Sequence, residues 1–140
     1  MYDPEMIRPM REELTSIGVE ELKTSQEVDD WVGNKSGTAL LIINSVCGCA
    51  AGAARPGARI ALQHPTHPDR VATVFAGQDK EATDRARSVL AEFPPSSPSM
   101  ALFKDGQLVD FIPRHKIEGR DAMTFGNELS QLFDKHFSPA

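Results

Sequence analysis

The chain has 140 residues, of which 40% are hydrophobic and 25% are charged, and its formal net charge is −5. These values are typical of one soluble domain, so we predict a single domain over residues 1–140. They argue against a nucleic-acid-binding protein, which usually carries a basic stripe, and no apolar run approaches the roughly 18 residues of a membrane-spanning helix. The acidic N-terminal segment lacks the apolar region of a secretory signal. We therefore expect a cytoplasmic protein without a nucleic-acid or membrane partner, and the sequence leaves its oligomeric state open.

The N-terminal part of the chain predicts a helix, a short strand and a second helix. The first helix begins near Pro4 and has an apolar stripe at helical spacing: Ile7, Met10, Leu14 and Ile17. Residues 19–22 form a short strand. Thr24 and Glu27 have the spacing of a capping box, and the helix that they open ends near Gly33.

A continuous apolar run from Thr38 to Asn44 predicts a central strand that is buried on both faces. The alanine-rich segment from Ala50 to Leu62 predicts a helix that Pro56 either kinks or restarts. A third strand should run from Arg70 to Ala76. After it we expect a helix with Asp79 as its N-cap and prolines 94 and 95 at its end. The predicted buried face of this helix is Ala82, Ala86, Val89, Leu90 and Phe93.

The C-terminal part of the chain predicts a hairpin and a closing helix. The strands are Ser99–Phe103 and Gln107–Ile112, and the Asp105-Gly106 pair between them favours a tight hairpin turn. The last helix begins at Asp121. Its predicted buried stripe is Ala122, Phe125, Leu129, Leu132 and Phe133.

After the first helix, the predicted order of elements is β, α, β, α, β, α, β, β, α. A strand–helix–strand unit followed by a hairpin and a closing helix is the order of the thioredoxin fold. We therefore predict an α/β protein with a thioredoxin-like fold, in which helices flank a mixed central sheet and one extra helix precedes it.

The chain has two cysteines, Cys47 and Cys49, where the central strand ends and a helix begins. A helix N-terminus presents free N–H groups and a partial positive charge, which favour a thiolate over a thiol. We assign Cys47, nearer the loop, as the attacking thiol and Cys49 as the resolving thiol. Gly48 is expected to permit the tight backbone between them, and Ser45 is a supporting residue in the preceding loop.

The Cys-x-Cys spacing leads to a hypothesis about redox potential. A disulfide between Cys47 and Cys49 closes a smaller ring than the Cys-x-x-Cys of thioredoxin does. Ring strain makes a disulfide easier to reduce, so we expect a more oxidising couple than that of thioredoxin.

Two further segments are predicted to lie near the cysteines. In thioredoxin-like folds a cis-proline just before the hairpin faces the active site, and Pro98 holds that place here. The second hairpin strand returns to the same end of the sheet and brings Arg114 and His115 with it. A cation there would steady a thiolate or bind an anionic thiol, although a solvated loop would also explain these residues.

Residues 44–52, Asn-Ser-Val-Cys-Gly-Cys-Ala-Ala-Gly, resemble the active-site segment of the bacilliredoxins. Further blocks that match this family are residues 9–11, 13–15, 54–56, 73–83, 95–102, 111–115 and 117–119. The resemblance implies a thioredoxin-like protein that removes bacillithiol, a low-molecular-weight thiol, from bacillithiolated proteins. It also implies that Cys47 takes the bacillithiol onto itself and that Cys49, or another bacillithiol, releases it. Bacillithiol would then be an exchanging thiol, and no resident cofactor is expected.

Four other interpretations compete with this one. A general protein disulfide isomerase or reductase would use the same two cysteines. A zinc site could combine them with His64 and His67, but a helix over residues 50–62 would hold the histidines about 20 Å away, so we expect no metal. The remaining two are a single-cysteine enzyme with His115 as its base, and a binding module that keeps the cysteines for structure.

Overall fold

The computed structural model describes residues 1–139 of the chain. The helices in this range are α1 (Pro4–Thr15), α2 (Ser25–Gly33), α3 (Arg55–Ala61), α4 (Lys80–Val89) and α5 (Ala122–Phe137). The strands are β1 (Glu20–Glu21), β2 (Thr38–Asn44), β3 (Arg70–Phe75), β4 (Ser99–Lys104) and β5 (Gln107–Ile112). A π-helical turn (Ala50–Ala54) precedes α3, and a 3₁₀ turn (Arg114–Lys116) follows β5. Among these residues, no helix combines the length and the apolar character that crossing a membrane requires.

The strands form one mixed sheet in the order β1–β3–β2–β4–β5. β3 is parallel to both β1 and β2, whereas β4 is antiparallel to both β2 and β5. β2 lies in the centre, and each of its residues after Thr38 is buried. Its continuous apolar run follows from this position, because a central strand covered on both faces exposes neither set of side chains. The predicted mixed sheet with an additional N-terminal helix is confirmed.

Helices cover both faces of the sheet, and β2 contributes to both cores. Successive side chains of a strand point to opposite faces. Leu40 and Ile42 therefore pack in one core with Leu14 of α1, Ala58 of α3 and Leu129 of α5. The other core contains these residues from β2, α2 and α4: Leu41, Ile43, Val28, Trp31, Ala82 and Ala86.

Three local predictions are confirmed by the backbone. The short first strand, Glu20–Glu21, lies within the predicted residues 19–22 and pairs with β3. Asp105 and Gly106 have φ values of 51° and 82°, and positive φ at both central residues is what a type I′ hairpin turn requires. The peptide bond between Ser97 and Pro98 is cis.

Of the two predicted N-caps, the Thr24 cap forms and that of Asp79 is replaced by an ion pair, while Asp121, the predicted start of the last helix, also acts as a cap. Thr24 and Asp121 each accept a hydrogen bond from the backbone N–H three residues later, at 3.1 and 2.8 Å. Asp79 occupies the N-cap position of α4, but its side chain does not cap the helix. Its carboxylate instead accepts hydrogen bonds of 2.6 and 3.0 Å from the guanidinium of Arg11, which ties α1 to the start of α4.

The predicted buried face of α4 is wrong at its C-terminal end. The helix ends at Val89, whose side chain is exposed, whereas Leu90 turns into the core. Phe93 lies beyond the helix and stacks on Phe111 with ring centroids 4.4 Å apart. The predicted apolar stripe included Phe93 because this residue, although it lies after the helix, has the spacing of a buried helical residue.

The segment after the cysteines is helical, but it is not one uniform α helix. Residues 50–54 form the π-helical turn, and α3 begins at Arg55, immediately before Pro56. This placement fits the predicted restart, because proline lacks an N–H and is best tolerated in the first turn of a helix. The helix ends at Ala61, and Leu62 is its C-cap.

Candidate active site

Cys47 lies at the junction between β2 and the following helix. β2 ends at Asn44, and helical geometry begins at Gly48. The Cys47 carbonyl accepts hydrogen bonds from the N–H groups of Ala50 and Ala51, at 3.0 and 3.2 Å. Cys47 is therefore the residue at which the helix begins, and its side chain lies where the free N–H groups of the first turn point. Both Cys47 and Cys49 are free thiols with partly exposed side chains.

Ser45 provides the nearest side-chain hydroxyl to the Cys47 sulfur. Its Oγ lies 3.4 Å from Cys47 Sγ, and it also accepts a hydrogen bond of 3.4 Å from the Cys47 N–H. The hydroxyl can therefore donate its proton to the sulfur while its oxygen is held by the backbone of the same residue. This arrangement gives Ser45 the supporting place that the sequence predicts for it.

The pKa of the Cys47 thiol is lowered from its ordinary value of 9.0. Partial burial acts in the opposite direction, because it disfavours the charged thiolate. The hydrogen bonds from Ser45 Oγ and from the N–H groups of Ala50 and Cys49, together with the positive charge of Arg114, outweigh that effect. A thiol with a lowered pKa presents more of the nucleophilic thiolate at neutral pH.

Gly48 does not have the conformational role that we expected for it. Its φ lies outside the positive range that favours glycine, and a Cβ built on it would meet no atom within 4 Å. The backbone there is the ordinary first turn of a helix, which any residue can adopt. Glycine at this position leaves the backbone exposed, with open space where a side chain would otherwise lie.

The cis-proline lies at the edge of the sheet from which the cysteine segment emerges. In the antiparallel pairing of β2 with β4, Ile43 is opposite Ser99. Pro98 therefore lies beside the end of β2, a few residues before Cys47. The carbonyl oxygen of the cis peptide, which belongs to Ser97, accepts a hydrogen bond of 3.4 Å from Arg114 Nη1.

Of the two basic residues predicted near the cysteines, only Arg114 contacts a sulfur. Its Nη2 lies 3.8 Å from Cys49 Sγ, and its Nε donates to Glu118 at 3.3 Å. His115 follows it in the 3₁₀ turn and is exposed. Among residues 1–139, the side chains that form hydrogen bonds with the cysteine sulfurs are those of Ser45 and Arg114.

A buried arginine, for which no role was predicted from the sequence, donates hydrogen bonds to the residues of the junction. Arg55 is 2% exposed. Its Nη1 donates to Asn44 Oδ1 and to the carbonyl of Ser45, at 2.9 and 2.7 Å, and its Nε donates to Glu13 at 2.8 Å. The available signal was a charged residue within an otherwise alanine-rich helical stretch, since an arginine on a buried helix face needs partners.

The histidines considered as zinc ligands have other partners. His64 Nε2 lies 3.0 Å from Asp134 Oδ1, and His67 Nδ1 lies 2.8 Å from the His64 carbonyl. Over the part of the chain that the structure describes, no group of three or more His, Cys, Asp or Glu side chains is arranged to hold a metal ion.

The family model described as "Disulphide isomerase" matches residues 2–137. A bacilliredoxin of Halalkalibacterium halodurans is 52% identical over 135 residues, which are 96% of this chain and 94% of that protein. A bacilliredoxin of Koribacter versatilis is 54% identical over 136 residues, or 97% and 94% of the two chains. One of Cytophaga hutchinsonii is 48% identical over 96% of this chain and 99% of the relative.

Solved thioredoxins share the fold of this chain at low sequence identity. The thioredoxin of Fasciola hepatica superposes with a TM-score of 0.58 at 19% identity, over 84% of this chain and 99% of its own. Oxidised thioredoxin O2 from Arabidopsis thaliana gives a TM-score of 0.59 at 16% identity, over 88% and 97% of the two chains. These superpositions confirm the predicted thioredoxin-like fold.

Proposed function

The chain belongs to the bacilliredoxin family of thiol–disulfide oxidoreductases, and we propose that it removes bacillithiol from protein mixed disulfides. In the first step the Cys47 thiolate attacks the bacillithiol sulfur of the mixed disulfide. A bond forms between Cys47 Sγ and bacillithiol, and the substrate cysteine leaves with the electron pair. Cys49 then attacks Cys47 Sγ and releases the bound thiol, or a second bacillithiol attacks the sulfur of the bound bacillithiol, forms bacillithiol disulfide and releases the Cys47 thiolate.

The single observation that carries this proposal is the environment of the Cys47 sulfur. The thiol is partly exposed at a helix N-terminus, beside the Ser45 hydroxyl, and its pKa is lowered. A thiol that ionises more readily is ready to attack near neutral pH, whereas an inert structural cysteine is buried in apolar surroundings. These features favour Cys47 over Cys49 as the residue that attacks first.

The surroundings of the sulfurs suit a protein substrate. Gly48 is exposed and has no side chain, so an incoming disulfide meets little steric hindrance there. Pro98, at the adjacent edge of the sheet, is itself buried, so a substrate segment would lie against the partly exposed Ser97 that precedes it. We propose bacillithiolated proteins and the free thiol as the partners, with the reducing cytoplasm as the compartment and no resident cofactor or metal.

Transfer of the adduct tests the proposal. A Cys49→Ala variant is mixed with a bacillithiolated protein, and both intact masses are followed. The variant should gain one bacillithiol while the substrate loses one, because the resolving thiol is missing. A Cys47→Ser variant is the matched control and should leave the substrate unchanged. A substrate that keeps its adduct in the presence of Cys49→Ala would contradict the proposal.

Disulfide isomerisation is the second candidate function, and the description of the matching family model favours it. An isomerase uses a reactive thiol to open a wrong disulfide and a second thiol to escape from an unproductive intermediate. Recovery of activity from a scrambled disulfide-containing enzyme would measure it. If the chain restores that activity yet does not accept bacillithiol, isomerisation replaces the first proposal.

A further inference from the structure

Arg114 holds a defined position beside the cysteine pair, although it lies 65 residues after Cys49. Each nitrogen of its guanidinium has its own partner: Glu118 for Nε, the Ser97 carbonyl for Nη1 and Cys49 Sγ for Nη2. The backbone N–H of Arg114 also donates to Ser96 Oγ at 3.4 Å. The side chain is therefore oriented by two oxygen acceptors on different elements, and this orientation directs Nη2 at the second cysteine.

The two sulfurs do not share their stabilising groups equally. Cys47 Sγ has the Ser45 hydroxyl and the N–H groups at the start of the helix. The side-chain donor at Cys49 Sγ is Arg114, at 3.8 Å. A positive charge this close to a sulfur favours the thiolate form. Several groups therefore stabilise a thiolate at Cys47. At Cys49, among the described residues, the hydrogen-bonding side chain is that of Arg114.

The balance of charge changes when Cys47 carries an adduct. In the reduced protein the guanidinium of Arg114 interacts electrostatically with both sulfurs, and its interaction with Cys47 is the stronger of the two. Once Cys47 is joined to another thiol in a mixed disulfide, its sulfur is neutral. Cys49 is then the remaining sulfur that can carry a charge beside the guanidinium.

We propose that Arg114 is a catalytic residue for the resolving step, in which it stabilises the Cys49 thiolate after Cys47 has formed a mixed disulfide. Cys49 loses its proton to solvent and attacks Cys47 Sγ. The Cys47–Cys49 bond forms, the bond from Cys47 to the adduct breaks, and the departing thiolate takes the electron pair. This inference rests on the roles proposed above for Cys47 and Cys49.

A neutral disulfide reagent separates the two steps. The reduced protein is mixed in a stopped-flow instrument with one equivalent of 4,4′-dithiodipyridine. Attack by Cys47 releases one thiopyridone, and resolution by Cys49 releases a second, so the absorbance rises in two phases. Because the reagent is uncharged at neutral pH, an effect of Arg114 cannot come from recognition of an anionic substrate.

For Arg114→Gln we expect the second phase to slow by about threefold at pH 7, with a smaller change in the first. Loss of the positive charge reduces the thiolate population, while the remaining thiolate becomes more nucleophilic and offsets part of that loss. The midpoint of the pH–rate profile of the second phase should therefore move upward, and above it the variant should be as fast as the wild type or faster. Arg114→Lys should recover part of the rate at pH 7.

Lys116→Gln is the matched control, because Lys116 is an exposed cation in the same 3₁₀ turn. It should leave both phases unchanged. A second phase that is the same in Arg114→Gln as in the wild type, or that Lys116→Gln slows equally, would overturn the inference. A wild-type protein that shows no first phase, or a Cys47→Ser variant that keeps it, would overturn the proposed function and this inference together.

Discussion

Within residues 1–139, Ser45 supplies the one side-chain hydrogen bond to the Cys47 sulfur. The other groups that favour the Cys47 thiolate are backbone N–H groups and the more distant charge of Arg114. The fold of the backbone sets the positions of these N–H groups. Ser45 is therefore the residue at which the reactivity of the first cysteine can be changed without altering the backbone. Its oxygen is also hydrogen-bonded to the Cys47 N–H, which fixes its distance from the sulfur.

Ser45→Ala should raise the pKa of the Cys47 thiol, because the thiolate loses a hydrogen-bond donor. The lowered pKa lets the wild type keep its thiolate as the pH falls below 9.0, and the variant should lose it at a higher pH. In a Cys49→Ala background, alkylation by iodoacetamide at pH 7 should slow by about threefold. Ser36→Ala, an exposed loop serine, is the control. An unchanged pH profile for Ser45→Ala would show that the hydroxyl does not act on the thiolate.

At the scale of elements, the junction between β2 and the following helix is held by contacts with α1. Arg55 extends beneath the junction and joins Glu13 of α1 to Asn44 and Ser45 at the end of β2. Arg55 is buried, whereas the Glu13 side chain is 47% exposed. Most of the stabilisation by Arg55 therefore comes from its hydrogen bonds to the buried oxygens of the junction.

Arg55→Met should lower the free energy of unfolding by about 3 kcal/mol, because it leaves the Ser45 carbonyl without its donor and Glu13 without its charge partner. Denaturation by urea, followed by circular dichroism, measures this loss. Arg59→Met removes an exposed arginine from the same helix and should change stability by less than about 0.5 kcal/mol. Equal losses in the two variants would mean that the buried contacts contribute nothing specific.

Helices α3 and α5 approach closely at a pair of glycines, Gly57 and Gly126. A Cβ on Gly57 would lie 2.6 Å from the Phe125 ring and 3.2 Å from the backbone nitrogen of Gly126. Neither neighbour can withdraw easily, since the ring is buried and the nitrogen belongs to a helix. The close approach thus depends on the missing side chain.

Gly57→Ala should destabilise the protein by about 2 kcal/mol, because the added methyl group overpacks the contact between the helices. Gly52, where an added Cβ would meet no atom within 4 Å, provides the control. Gly52→Ala should leave stability unchanged or raise it slightly, since alanine is the better helix former. Thermal unfolding of both variants distinguishes these effects, and equal melting temperatures would contradict the expected overpacking.

At the scale of the whole molecule, the fold couples the redox state of the cysteines to stability. The reduced protein is stabilised by the groups that favour the Cys47 thiolate. The oxidised protein loses that charge and closes a small Cys-x-Cys ring. Both effects favour the reduced form, and a stabilised reduced form makes a dithiol couple more oxidising.

We therefore expect a reduction potential above the thioredoxin value of about −270 mV. Equilibration with glutathione buffers of known ratio, followed by acid quenching and thiol labelling, measures it. By linkage, the oxidised protein should unfold at a lower urea concentration than the reduced protein. A potential as low as that of thioredoxin would contradict the first expectation, and an oxidised protein that resists urea as well as the reduced protein does would contradict the second.

Much of the fold could be predicted from the sequence because its signals are local. The apolar run of β2 depends on consecutive residues, the hairpin turn on the Asp105-Gly106 pair, and the position of Cys47 on the point where one pattern replaces another. The thioredoxin-like order of elements added Pro98, and the family resemblance added bacillithiol as the exchanging thiol. The predicted C-terminal end of α4 was wrong for the same reason. Phe93 lies at helical spacing from the buried residues of α4, although the helix ends before it.

The sequence by itself determined the order of elements, the cysteine pair at a helix N-terminus and the family. Only the tertiary structure decided that Arg114 and not His115 contacts a cysteine, and that Arg55 lies beneath the motif. It also showed that the backbone conformation at position 48 does not require glycine. These contacts join residues on different elements, so they depend on packing distances that no spacing along the chain encodes.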